Sequence, residues 1–171
     1  MNLSFAAACK LTGALLMFAC VGGGICLRRR CDAERLERLD CLAEFVLFAR
    51  EQVERYLTPV AEIIRRCDPG LLGGCFCGCP EDARLRRPTD MAGFDGILRR
   101  GVYAADGREA FADFAASFGK SYREEELKIC EACAGELRKI RERLARELPA
   151  RRRSRAVMEL CCVAAAVIIL I

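Results

Sequence analysis

The sequence has no histidine in 171 residues. That absence removes the side chain most often used as a base at neutral pH, and with it Cys–His dyads and every zinc site built with imidazole. No stretch of any length alternates apolar and polar residues with period two, so no sheet is expected, and there is no internal repeat. The middle of the chain also lacks a basic surplus. Removing Lys10 and the seven arginines at 28–30, 151–153 and 155 from the 28 basic residues leaves 20 between 32 and 150, against 23 of the 24 acidic residues. Nucleic-acid binding needs a basic patch on the body, so nucleic acid is not an expected partner. "GKS" at Gly119–Ser121 looks like the end of a phosphate loop, but that motif requires glycine where Phe114 stands.

What is present is segregated. The chain is 53% hydrophobic and 30% charged, and the apolar residues gather at its two ends. Leu11 to Leu27 is a run of 17 residues without a charge. As a helix it is about 26 Å long, against roughly 30 Å of bilayer hydrocarbon, and Lys10 can snorkel to a headgroup at its start. Ala156 to Ile171 gives a second run of 16 residues with Glu159 in its first turn. At about 24 Å it spans only with local thinning or partner helices. Arg28, Arg29 and Arg30 follow the first run, and Arg151, Arg152, Arg153 and Arg155 precede the second. Both clusters therefore flank one membrane face, which the positive-inside rule makes cytoplasmic. Strong charge after the first run, rather than before it, favours a retained anchor over a cleaved signal peptide. Three regions are expected: 1–31 as an N-terminal transmembrane anchor with its arginine flank, 32–150 as a cytoplasmic helical domain, and 151–171 as an arginine flank and C-terminal transmembrane helix, with both termini outside.

The body reads as all-α, a small bundle of about five or six helices between the two terminal transmembrane helices. From Asp32 to Leu57 an apolar stripe runs through Leu36, Leu39, Ala43, Val46, Ala49, Val53 and Leu57 at steps of three and four. Thr58 is a candidate N-cap for a second helix, with Pro59 at its first position and Val60, Ile63, Ile64 and Cys67 on its inner side. Residues 68–92 carry glycine and proline breakers and read as a loop. Short helices follow at 94–100 and 108–118, the second with Ala110, Phe111, Phe114, Ala115 and Phe118 inward and Gly119 ending it. "SYRE" suggests a capping box from Ser121 to Glu124. The helix it opens has the stripe Leu127, Cys130, Ala134, Leu137, Ile140, Leu144 and Leu148, up to a stop or kink at Pro149.

Thirteen cysteines need an explanation. Cys67, Cys75, Cys77 and Cys79 cluster, and four thiolates are a possible zinc or iron–sulfur ligand set. The spacing is not that of paired C-x-x-C sites, however, and cysteines also occur at Cys9, Cys20, Cys26, Cys161 and Cys162 inside the apolar runs, where they act as small hydrophobes. The expectation is therefore reduced structural thiols, no metal, no cofactor and no catalytic residues. A metal- or redox-active membrane protein using the four clustered cysteines is the rival reading.

Taken in order, "LTGALL" after a lysine, "YLTPVAEI" after the first long helix, "FGKSYREEELKI" in the second half and an apolar last helix resemble the stage III sporulation protein AB family of endospore-forming bacteria. The chain departs from that pattern in the cysteine-rich stretch 68–92 and at "MELCC", where a Leu-Gly pair is expected. The resemblance implies a non-enzymatic two-pass membrane platform of the sporulation channel between mother cell and forespore, in the mother-cell membrane that becomes the outer forespore membrane. It implies a body similar to the cytoplasmic domains of type II secretion and type IV pilus platform proteins. The implied partners are a secretion-type ATPase of the same complex, other membrane proteins of that complex and the lipid bilayer. A membrane-anchored helical scaffold of another assembly is the plainer alternative. The exposed face of helices 108–118 and 122–148 is the expected docking surface.

Overall fold

The computed structural model describes residues 2–81, 88–102 and 105–170; the side chains of 2–11, 14, 15, 17, 18, 163 and 166–170 are outside that description. Among the described residues there are six α-helices: α1 (Asn2–Tyr56), α2 (Val60–Arg66), α3 (Pro69–Cys75), α4 (Met91–Leu98), α5 (Arg108–Ser117) and α6 (Arg123–Leu170). No strand occurs among the described residues. The chain divides into two compact units, one of Met1–Ala33 with Arg146–Ile171 and one of Glu34–Ala145.

The larger unit is built on the expected stripes. Leu39, Ala43, Val46, Ala49 and Val53 of α1 are buried, as are Ile63, Ile64 and Cys67 around α2. Phe111, Phe114 and Phe118 are buried at α5, and Cys130, Ala134, Leu137 and Leu144 on α6. An aromatic chain joins these elements. Phe45 of α1 meets Phe94 of α4 at 4.7 Å between ring centroids, Phe94 meets Phe111 at 5.0 Å, and Phe111, Phe114 and Phe118 follow at 5.5 and 4.8 Å. All are tilted rings in the range that favours aromatic pairs, and each fully buried phenyl contributes about 1.5–3 kcal/mol. Arg50 to Glu131 at 3.1 Å and Arg141 to Asp40 at 3.1 Å then tie α1 to α6 at the surface.

Several boundaries differ from the sequence expectation. The stretch 68–92 is not a continuous loop: it contains α3, and α4 begins within it at Met91. Asp68 caps α3 by accepting from the Leu71 N–H at 3.0 Å, and Pro69 occupies the first turn, where its missing N–H leaves nothing unpaired. Burial of Leu72, Cys75 and Phe76 offsets the propensity cost of the glycines, which is about 1 kcal/mol each. Pro149 does not stop the last helix, which continues to Leu170; Pro149 is exposed, so water can solvate the carbonyl that the proline leaves without a donor. Ser121 and Glu124 do not form the expected box. The Ser121 N–H instead donates at 3.4 Å to Glu126, a carboxylate buried one turn further in. Leu57 leaves the α1 stripe and is 70% exposed, and Leu36 is only half-buried.

The apolar runs are helical within α1 and α6. Among the described residues no helix is long and apolar enough to cross a membrane. Lys10 before the first run, Leu11, Ala14, Leu15, Met17 and Phe18 within it, and Val163 with 166–171 of the second run have side chains outside the described set.

Gly107 tests the packing of α1 on α6. Its φ is +71°, and a Cβ there would lie 2.8 Å from Leu137 Cδ2 and 2.9 Å from Leu39 Cδ2. Gly107→Ala combines a left-handed penalty of about 1–2 kcal/mol with overpacking of about 1–3 kcal/mol. Thermal unfolding followed by circular dichroism should show Tm lower by about 10 °C or more; an unchanged Tm would contradict this packing.

Candidate functional site

Three of the clustered cysteines, Cys75, Cys77 and Cys79, lie near a buried cation. Arg38 is 1% exposed, and its Nε–H donates to the Cys75 carbonyl at 3.2 Å, at the carbonyl end of α3. A helix C-terminus carries partial negative charge, so this end favours a guanidinium. One turn earlier Arg35 forms a two-pronged pair with Asp106 at 2.7 and 2.9 Å. Burial lowers the pKa of Arg38, opposed by nearby Cys79, Asp106, Cys75 and Cys77. It stays charged, as arginine does in proteins. Sequence periodicity did not identify Arg38, because a polar residue beside Leu39 counts as the outer face; no signal short of the fold marks it.

Cys67, Cys75 and Cys79 are buried, and Cys77 is half-buried. Cys41 of α1 faces α3, its Sγ so close to Gly74 that a Cβ there would overlap it. Two thiols of this region, Cys75 and Cys41, resist ionisation. Burial pushes Cys75 well above its ordinary value, with Cys41 and Cys67 adding to it, and burial also raises Cys41. On the α6 side, burial takes Cys130 and Cys133 up to about 12, with Glu126 assisting at the first and Cys130 at the second. The thiolate is the metal ligand and the nucleophile, so a thiol held neutral by burial is less reactive towards either than an exposed one. Among the described residues no three Cys, Asp or Glu side chains converge to hold a metal ion.

The arginine flanks come together in the smaller unit. Arg28 of α1 pairs with Glu159 of α6, and Arg152 Nε meets Asp32 Oδ2 at 2.9 Å. Arg151 pairs along its own helix with Glu147 at 2.8 Å. Arg29, Arg30, Arg153 and Arg155 are exposed. Arg29, Arg153 and Arg155 have no ion-pair partner among the described residues. The N-terminal part of α1 and the C-terminal part of α6 are thus an antiparallel pair joined by two ion pairs. Sequence reasoning placed the arginines but missed that Glu159 is the partner of Arg28.

At one end of the larger unit two turns meet. Gly119, at φ +87°, lies so close to α2 that a Cβ there would be 2.6 Å from Val60 Cγ2. The Arg123 guanidinium donates to the Glu54 carbonyl. These two contacts bracket residues 54–60 and 119–123. They bring "YLTPVAEI" against "FGKSYREEELKI", segments some sixty residues apart in the chain.

A raised thiol pKa gives stability that is complete below the unfolded value near 8.5 and is lost as pH climbs towards the folded value. For Cys130 and Cys133, stability should therefore fall between about pH 9 and 12, and the fall should be shallower in Cys130→Ala/Cys133→Ala. At pH 8, iodoacetamide followed by peptide mass mapping should leave Cys75, Cys130 and Cys133 unmodified in the native chain and modify them in urea. Rapid native alkylation would contradict the burial.

A family model described as stage III sporulation protein AB matches residues 10–171. No curated protein and no solved structure matches the chain.

Proposed function

The chain belongs to the stage III sporulation protein AB family, and from that membership we propose that it is a non-enzymatic membrane platform of the channel complex between mother cell and forespore. On this reading the smaller unit is the membrane anchor, with α1 and α6 entering the bilayer side by side in the mother-cell membrane and the termini outside. The larger unit is the cytoplasmic body, which docks a secretion-type ATPase of the same complex and passes its motion to membrane partners through the two long helices.

The observation that supports this best is the antiparallel pair of the smaller unit. Each of its helices carries an apolar run, arginines flank both runs on the same side, and Arg28–Glu159 with Asp32–Arg152 hold the helices in register. Positive residues beside an apolar run anchor it at the cytoplasmic headgroups. Glu159 in the first turn of a span is costly alone, and Arg28 neutralises it. The pairing thereby offsets the weakest feature of the second span. A body of charged surfaces, buried thiols and packed aromatic rings is consistent with a partner-binding and force-transmitting role.

The test is biochemical. Full-length protein expressed in a sporulating host should stay in membranes through a carbonate wash, and after gentle solubilisation it should co-purify with the ATPase. Release by carbonate would remove the anchor. Absence of the ATPase, together with stoichiometric zinc or iron lost on replacing Cys75, Cys77 and Cys79 with Ser, would move the assignment to a metalloprotein.

A further inference from the structure

The geometry points to a docking tip formed by Tyr56, Leu57 and Tyr122, which inserts into an apolar pocket on the partner ATPase; this rests on the reading that the body docks that ATPase. Among the described residues of the larger unit the large apolar side chains left in water are Tyr56 at 61%, Leu57 at 70%, Val102 at 83% and Tyr122 at 90% exposure. Three of the four lie on the two turns that meet, between the Glu54–Arg123 and Val60–Gly119 contacts. Scattered exposed apolar residues are ordinary, but three on adjoining turns make a patch. Two are tyrosines, which supply large contact area with little entropy to lose and recur at binding hot spots.

Leu57 is unusual in a second respect. Its φ is +49°, and it is the one residue other than glycine with positive φ among the described residues. A left-handed conformation is costly for any residue with a Cβ, and the position after a helix is normally given to Gly or Asn. The turn is held by the buried Thr58, whose N–H reaches the Gln52 carbonyl at 3.4 Å. A strained leucine with its side chain in solvent gains nothing from the fold that a glycine would not give. Its side chain therefore serves something outside the fold.

The surrounding charges select the kind of partner. Lys120 is exposed next to Gly119, Arg55 is exposed next to Tyr56, and Glu124 and Glu125 are exposed in the first turn of α6. Carboxylates beside the patch oppose an anionic lipid surface. A rim with both signs fits a protein pocket whose border offers a carboxylate to Lys120 and basic side chains to Glu124 and Glu125. The apolar centre with a polar rim follows the usual anatomy of such interfaces.

The strain at Leu57 makes the proposal testable without loss of the fold. Leu57→Gly removes the side chain and suits the backbone, so full-length protein in detergent should keep or raise its Tm while its affinity for the purified ATPase falls tenfold or more. Tyr122→Ala should weaken binding without lowering Tm. With benzoylphenylalanine at position 122, irradiated membranes should yield an adduct with the ATPase. Wild-type affinity in both variants, or adducts only with lipid or a second copy of the chain, would overturn the tip while leaving ATPase docking in place. An ATPase that does not bind the unaltered protein would remove the platform reading and the tip with it.

Discussion

The larger unit depends on the burial of one aromatic chain. Phe94 touches Phe45, Phe76 and Phe111 at 4.7–5.0 Å between centroids, so a single ring from the short α4 joins α1, the end of α3 and α5. Short helices of seven to ten residues are not stable alone and take their order from such packing. Holding α5 against α1 also places the next two elements: the turn at Gly119 comes to rest on Val60, and α6 starts beside the end of α1's stripe. The meeting of "YLTPVAEI" and "FGKSYREEELKI" is therefore a consequence of the core.

Much of this was legible in the sequence. The stripes on α1 and α6 follow a period of 3.6, and that period reports burial for Leu39 through Val53 and for Cys130, Ala134, Leu137, Leu144 and Leu148, while Ile140 is only half-buried. Breakers mislead where capping and tertiary burial override propensity. Asp68 and Pro69 signalled an N-terminus, yet three glycines within the next five positions hid α3. Pro149 signalled a stop that an exposed position does not require. Arg38 and Glu126 are polar groups placed by contacts made far along the chain, and Leu57 departs from its stripe because the backbone turns left-handed at its Cα. None of these three has a local signature.

For function, the same split applies. The arginine flanks could be counted, while their meeting partners Glu159 and Asp32 needed the antiparallel pair. The four clustered cysteines suggested ligands by proximity in sequence. In the fold Cys67, Cys75 and Cys79 are buried, and burial raises the pKa of Cys75. Family membership and the pairing of α1 with α6 in the smaller unit are what the proposed platform role rests on.

That role requires the body to be on the cytoplasmic side, and protease protection measures this directly. Arg99 and Arg100 are exposed at the end of α4 and open to trypsin. On the proposed account, trypsin cleaves there in inverted membrane vesicles and leaves the body intact when added to right-side-out protoplasts. Cleavage at Arg99 or Arg100 in intact protoplasts, with protection in inverted vesicles, would contradict it.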